Sequence, residues 1–432
     1  YHKRAVRGRM YLTATCLTAI LKPSKYGIGP HLPVRLEEAN RISMTAAQRR
    51  IFWTLTIANF CLFFGLNVWR SVFNNLAVEE LHIEAAQIGF IQSIREVPGL
   101  IGFVLGFLAL LFTEMTILNL SVVLLGLGLI ATGWADRLST LIIATVVMSI
   151  GFHFFVPSSS SMVLMISKKA HAPRALGRLK SVSALAAVAA TILVFFTVKA
   201  WGYRWLLTVT GGLVIAGGLI TLIIGRGQTG LRERRKVVFR RRYLLYYVLT
   251  LLMGCRRHIF TTFAVFLLVR VHGISAQETA ILYLVNNLIN TYASGQLGRL
   301  VAHFGERTTL TVNFLLLIGI FLGYAYIPFL PVLYLLFIAD SILFGFSLAL
   351  NTYFQKIAIT PKEITSNLAM GQTINHVAAL FVPVLGGLIW EAYGPAATFL
   401  AGAAVVAVSL ICTQWIRTGS ALQPVSVAVQ GK

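Results

Sequence analysis

Charged side chains are rare inside the long apolar stretches of this chain, but four arginines lie there: Arg70, Arg95, Arg256 and Arg257. Only two acids, Glu96 and Asp340, share comparable positions. A basic side chain near the centre of a bilayer costs about 2.5–3.5 kcal/mol on insertion scales, so it normally faces a polar cavity. Guanidinium groups bind carboxylates and phosphates through two parallel hydrogen bonds. The excess of arginine therefore predicts a path for an anion.

The apolar stretches that hold these residues are long enough to cross a membrane, which takes about 20 residues. The chain has 432 residues, is 57% hydrophobic and 12% charged, and has a mean hydropathy of +0.78. These values are typical of polytopic membrane proteins. The predicted spans cover 51–77, 87–111, 115–134, 138–165, 180–198 and 205–224, then 243–269, 277–298, 309–327, 332–355, 366–390 and 395–416. We expect an all-α polytopic membrane protein with twelve transmembrane helices in two six-helix bundles.

Basic residues outside the spans indicate the orientation. If both termini are cytoplasmic, the inner loops and tail from Arg49 onward hold 21 Lys and Arg, whereas the outer loops hold four. The positive-inside rule favours this arrangement. Most of the net charge of +23 then reflects topology rather than a surface for nucleic acid. We expect an integral membrane protein with both termini in the cytoplasm.

The predicted domain organisation follows from the same pattern. Residues 1–48 form a basic N-terminal arm that we expect to be disordered, and residues 1–43 are interpreted as a segment preceding a true start at Met44. Residues 49–224 form the first bundle, 225–242 a basic cytoplasmic linker, 243–417 the second bundle and 418–432 the tail. The linker is interpreted as a topology anchor that also contacts anionic lipid headgroups.

Helical spacing separates residues that face a cavity from those that pack, because positions three, four and seven apart share a face. In span 1, Asn67, Arg70 and Asn74 lie on one polar stripe. In span 7, Arg257 shares a face with polar and small residues, whereas Arg256 shares one with large apolar residues. We expect Arg257 to face the path and Arg256 to pack between helices or to pair with an acid.

Span 2 carries Arg95 and Glu96 side by side. Adjacent residues point in different directions on a helix, so each is expected to have its partner elsewhere. Arg95 is open to two interpretations, a group on the path or a charge wedged between helices that approach closely. His153 in span 4 is a candidate for substrate contact or a hydrogen-bonded structural histidine.

The second half contributes amide and imidazole side chains. The candidates on its polar stripes are Asn287 and Asn290 in span 8, Asp340 and Asn351 in span 10, and Gln372, Asn375 and His376 in span 11. Such faces bind polar solutes or form hydrogen bonds between helices, and both interpretations stay open. Glu96 and Asp340 are the candidates for proton coupling.

The two halves also repeat each other at an offset of about 192 residues, which places 51–116 over 243–308. Internal symmetry of this kind marks transporters that bind their substrate between the halves. The chain resembles the major facilitator superfamily, whose loops after spans 2 and 8 carry a G-x-x-x-D-R-x-G-R-R pattern. Residues 298–307 keep both glycines and the last arginine, but Ala302 and His303 replace the Asp and Arg. Residues 106–115 keep only the leading glycine.

The resemblance extends over residues 51–417, and the segments 92–99, 352–358 and 373–376 look like those of a prokaryotic branch of permeases. It implies alternating access between two bundles, in a protein of the bacterial cytoplasmic (inner) membrane. Arg70 and Arg257 lie in spans related by the repeat, which looks like the arrangement in organophosphate-phosphate exchangers of the superfamily. In those proteins, arginines of spans 1 and 7 hold an oxyanion.

The sequence therefore predicts a monomeric secondary transporter for a small anionic solute, with H⁺ as a candidate coupling ion and no cofactor or metal. One alternative is proton-coupled efflux of hydrophobic or cationic compounds, with Glu96 and Asp340 as the coupling groups. Another is a membrane sensor or scaffold that moves no solute. An enzyme is not expected, since the chain contains no HExxH, GxSxG or P-loop pattern in a soluble context.

Overall fold

Long helices, most of them apolar, make up most of the described part of the chain, and each lies at a predicted span. The computed structural model describes residues 45–101, 105, 108, 111–167, 171–225 and 240–417. In the first half, α1 is Ala46–Asn75, α2 is Ala85–Leu100, α3 is Glu114–Gly133 and α4 is Leu138–Ile166, while α5 and α6 run on as Ala172–Ile224. Of the predicted arm, only residues 45–48 are described, and 46–48 belong to α1. Most of the predicted linker and the whole of the tail 418–432 lie outside the described residues.

The second half repeats this order. Here α7 is Leu244–Arg270, α8 is Ala276–Phe304 and α9 is Glu306–Tyr326, α10 consists of α10a (Leu330–Phe344) and α10b (Ser347–Ile357), α11 is Pro361–Tyr393 and α12 is Pro395–Thr413. The fold is thus an all-α polytopic bundle of twelve helices, as predicted. Nine stretches of the described residues are long and apolar enough to cross a membrane. The described part of α2 is short, and α8 is too polar to count among them.

The repeat is visible in the backbone itself. Gly202 interrupts the α5–α6 stretch with φ 66° and ψ 173°, and Gly394 separates α11 from α12 with φ 84° and ψ 171°. The two positions differ by 192 residues, the offset found in the sequence. Only glycine adopts this combination of angles without strain, because it lacks a Cβ atom. The same sharp turn therefore joins the last two helices of each half.

The two halves are fastened to each other where α1, α5, α7 and α11 end. We call this the outer end, after the predicted orientation. Asn75 Nδ2 donates to the Ile274 carbonyl oxygen at 2.8 Å, and Arg270 Nη2 donates to Glu84 Oε1 at 2.5 Å. The backbone N–H of Ala86 donates to Glu391 Oε1 at 2.9 Å. Three hydrogen bonds between residues at or near helix ends thus join the halves at one end.

Close backbone packing of α2 against α11 continues the same contact. A Cβ atom added at Gly89 would collide with the backbone carbonyl of Pro383, and one added at Gly387 would lie 2.7 Å from the Ala86 Cα atom. Small residues let two helices approach to backbone contact, which is the usual way helices associate in membranes. These glycines hold α2 of the first half against α11 of the second.

At the opposite end, the start of α7 is tied to the start of α11. Arg240 donates two hydrogen bonds to the buried Glu363 carboxylate, Nε to Oε2 at 3.1 Å and Nη2 to Oε1 at 2.9 Å. Tyr243 donates a third at 2.5 Å. Hydrogen bonds from Arg240 and Tyr243 lower the pKa of the Glu363 carboxyl below its ordinary value. The end of the linker is therefore held by a charge-assisted contact within the second half.

Candidate functional site

Arg70 on α1 and Arg257 on α7 both lie against aromatic rings. The Arg70 Cζ atom is 4.9 Å from the ring centroid of Tyr283 on α8, and the Arg257 Cζ atom is 4.5 Å from that of Phe344 on α10a. Each guanidinium thus gains a cation–π contact, which needs no counter-charge. Neither arginine has an ion pair or a side-chain hydrogen bond with any residue that the structure describes. The two act on each other electrostatically.

Arg256, one residue before, has a different environment. Its side chain has no exposed surface, and its Nη1 atom donates to Asp340 Oδ1 at 2.7 Å. The structure thus shows the partner expected for Arg256, an acid on a neighbouring helix. The same contact engages Asp340, which the sequence suggested as a proton-coupling group. Arg256 Nε and Nη2 have no hydrogen-bond partner among the described residues.

Arg95 and Glu96 on α2 form an ion pair, with 2.9 Å between Nη2 and Oε1. The expectation that adjacent residues have separate partners is wrong here, because both side chains are long enough to converge beside the helix. The Arg95 Cζ atom also lies 5.8 Å from the Trp69 ring centroid. Its backbone carbonyl accepts a hydrogen bond from Ser149 on α4. Arg95 is thus a paired charge between helices that still exposes 28% of its side chain.

Glu96 is the centre of a cluster that joins the two halves. Its Oε2 atom lies 3.0 Å from His376 Nδ1 on α11 and 3.7 Å from His153 Nε2 on α4. The two imidazole rings meet edge to face, with centroids 5.0 Å apart. One ligand atom from each of Glu96, His153 and His376 lies within 4.8 Å of the others, so the three residues could hold a metal ion. The cluster therefore brings together three of the predicted candidates.

His258 on α7 was not among the predicted residues. It exposes 7% of its surface, and its Nε2 atom has no hydrogen-bond partner in the described part of the chain. It lies within electrostatic range of Glu96 and His376. A histidine directly after the arginine pair of an apolar span was the available signal.

The amide candidates of α1 are engaged to different extents. Asn67 donates to the Phe63 carbonyl of its own helix at 2.7 Å. Asn74 is buried, and its Oδ1 atom lacks a hydrogen-bond partner among the described residues. Asn74 thus has a buried polar atom without a partner in the described part of the protein.

The amide candidates of the second half are scattered. Asn290 on α8 donates to Ser341 Oγ on α10a at 2.9 Å, and a Cβ atom added at Gly254 would lie 3.2 Å from Asn375 Oδ1. These two join helices. The side chain of Asn287 is half-buried, and Asn351 and Gln372 are exposed. The polar stripe predicted for span 10 is interrupted, because α10a ends at Phe344 and α10b begins at Ser347.

The loops that carried the resemblance are partly described. Residues 106 and 107 and residues 109 and 110 of the first copy lie outside the described residues. In the second copy, Gly305 has φ 75° and separates α8 from α9. Glu306, which follows it, is buried and pairs with Lys356 Nζ at 2.7 Å. This loop of the second half therefore has a charged contact between the start of α9 and α10b.

Known proteins resemble this chain in sequence pattern and in fold. The sequence model of the Major Facilitator Superfamily matches residues 55–358. No curated protein sequence matches the chain. Among solved structures, a bacterial homologue of the human lysosomal transporter Spinster, inward-facing and unoccupied, aligns with a TM-score of 0.71 at 14% identity, over 88% of this chain and 100% of that one. The nucleoside transporter NupG aligns with a TM-score of 0.68 at 13% identity, over 84% and 98%. The chain belongs to the Major Facilitator Superfamily and is an integral membrane transporter, not an enzyme.

Proposed function

We propose that this transporter carries a small anionic solute, such as an organic anion, an organophosphate or an oxyanion, between Arg70 and Arg257. One observation carries the proposal. Of the four arginines and two acids within the spans, Arg95 is paired with Glu96 and Arg256 with Asp340. The two remaining arginines are the pair that the sequence assigned to the path.

Electrostatics favour an anion at this position. Two guanidinium groups without carboxylate partners repel each other, and Arg257, which is less exposed than Arg70, also costs desolvation energy inside a membrane protein. A carboxylate or phosphate oxygen about 4 Å from one guanidinium gains about 4 kcal/mol at an effective dielectric constant of 20. An anion between Arg70 and Arg257 would offset both the repulsion and the desolvation. The solute is in this sense the missing partner of the two arginines.

The position of the two arginines fits alternating access. Arg70 belongs to the first half and Arg257 to the second, so one anion contacts both halves. Contacts such as Arg270 to Glu84 fasten the outer end, which leaves the inner end to open for the solute. We propose that both termini are cytoplasmic and that the protein lies in the bacterial inner membrane. Proton coupling through Glu96 or Asp340 is a separate hypothesis, which transport with and without a pH gradient tests.

Counterflow into proteoliposomes tests the proposal, with labelled inorganic phosphate, a sugar phosphate and succinate as probes. Arg257→Gln should abolish uptake of the transported anion. The matched control is Arg256→Gln, which removes the arginine one residue away and should keep most of the uptake. Equal losses in both proteins would contradict the proposal. Efflux of hydrophobic cations that persists after Arg70 and Arg257 are neutralised would support the export alternative instead.

A further inference from the structure

The cluster around Glu96 has the composition of a metal site. Its carboxylate comes from α2, and the imidazoles of His153 and His376 come from α4 and α11. Both rings approach the same carboxylate oxygen, Oε2, at 3.7 Å and 3.0 Å. Two imidazole nitrogens and one carboxylate oxygen form a ligand set that suits Zn²⁺ and other first-row divalent metals. Mg²⁺ and Ca²⁺ prefer oxygen ligands, so they are not expected here.

The spacing of the ligand atoms fits such an ion. With metal–ligand bonds of about 2.0–2.1 Å, neighbouring ligand atoms of a tetrahedral site lie about 3.4 Å apart. The two separations from Oε2 lie on either side of this value, and the three atoms are all within 4.8 Å of one another. A small rotation of the side chains would therefore complete three coordination positions. The fourth stays open, as in zinc sites that bind a water or a further ligand.

Two neighbours support the geometry. Arg95 binds Oε1 of Glu96 and leaves Oε2 to face the histidines, which is how a second layer of hydrogen bonds orients a ligating carboxylate. Gly99, one turn after Arg95 on α2, provides the space for the rings. A Cβ atom added there would lie 2.7 Å from His376 Nδ1 and 2.9 Å from His153 Cε1. The glycine thus leaves room that any other residue would fill.

We propose that Glu96, His153 and His376 bind a divalent transition-metal ion of the Zn²⁺ class, and that the bound ion links the two halves of the transporter. Two of the ligands belong to the first half and His376 to the second. A bound ion would therefore hold α2 and α4 against α11 and slow the movement that alternating access requires.

The nearby arginines oppose a bare cation, because Arg95 and Arg257 both act on Glu96. An anion at Arg70 and Arg257 would offset that charge and raise the metal affinity. This last expectation rests on the proposed function, whereas the metal site itself does not.

Zinc binding by the purified protein, freed of any polyhistidine tag, tests the site directly. The protein is titrated with Zn²⁺ against a chromogenic chelator, and Co²⁺ serves as a spectroscopic probe. We expect one tight equivalent in the wild type. Affinity should fall by at least about 10-fold in Glu96→Gln, His153→Gln and His376→Gln. His303→Gln is the matched control, because His303 is exposed at the end of α8, and it should bind as the wild type does.

A ligand exchange separates loss of metal from loss of fold. His376→Cys should still bind Co²⁺ and should add the charge-transfer absorption of a thiolate ligand. Tight Zn²⁺ binding that is unchanged in His376→Gln would overturn the proposal, as would a wild type that binds no Zn²⁺ and uses the cluster as a proton site only. No transported solute enters these titrations, so a negative result would leave the anion proposal standing.

Discussion

Removing the carboxylate of Asp340 should destabilise the protein strongly, because it would leave Arg256 charged and enclosed. The Arg256 side chain has no exposed surface, and its one hydrogen bond to a carboxylate is the 2.7 Å contact with Asp340. At that distance and an effective dielectric constant of 20, the gross attraction is about 6 kcal/mol. Breaking a buried pair by removing one partner costs about 3–5 kcal/mol. In a chain of this length, each kcal/mol of lost stability lowers Tm by about 2 °C, so Asp340→Asn should lower Tm by about 6–10 °C.

Thermal unfolding in detergent measures this change, at one heating rate because such unfolding is often irreversible. The double variant Arg256→Gln/Asp340→Asn removes both charges and should recover at least half of the loss, since no uncompensated charge stays behind. Glu84→Gln is the control, because the Glu84 and Arg270 side chains are 53% and 35% exposed and such pairs contribute about 0–1 kcal/mol. A Tm of Asp340→Asn within about 2 °C of the wild type would refute the reasoning. A double variant whose Tm is as low as that of Asp340→Asn would refute it as well.

Three further predictions concern the ends of the bundle. The pKa of the Glu363 carboxyl is lowered by Arg240, so its stabilising contribution is present above the unfolded pKa and is lost as pH falls through the folded one. Below about pH 5, Tm should therefore fall more steeply in the wild type than in Glu363→Gln, and parallel curves would contradict this. Gly89→Ala should lower Tm by about 2–6 °C, because the new methyl group meets a backbone carbonyl of α11 that cannot move aside. An unchanged Tm would show that α2 and α11 are not in close backbone contact. In a cysteine-free background, a short thiol cross-linker between Glu84→Cys and Arg270→Cys should block exchange, and cleaving it should restore exchange. Exchange that continues with the cross-linker in place would show that the outer end need not open.

The fold could be predicted from the sequence because its signals are strong and repeated. Membrane helices need long apolar runs, and the offset of 192 residues relates even the turns at Gly202 and Gly394. Helix ends were less predictable. Span 5 was expected from residue 180, whereas the helix begins at Ala172, because basic first turns stay helical beyond the apolar layer. The polarity of α8 did not hide it, since the apolar run at 277–298 is long enough to predict a span there.

The sequence could nominate residues for the candidate site, but it could not predict their contacts. Helical periodicity places Arg257 and Arg256 on different faces of α7. The ion pair between Arg256 and Asp340 agrees with this assignment. The contact between Glu96 and His376 joins residues 280 positions apart, and no local pattern encodes such a distance. Arg95 was assigned a partner elsewhere because helix periodicity describes the directions of Cβ atoms, not the reach of long side chains.

Anion binding by the purified protein tests the central claim most directly. A ligand that binds only the folded state, present at about 100 times its Kd, stabilises it by about 2.7 kcal/mol, or about 5 °C in Tm. Inorganic phosphate, a sugar phosphate and succinate are compared on the wild type, Arg70→Gln, Arg257→Gln and the exposed control Arg307→Gln. We expect that an anion which raises the Tm of the wild type and of the control leaves the Tm of Arg70→Gln and of Arg257→Gln unchanged. Equal stabilisation of all four proteins would contradict it.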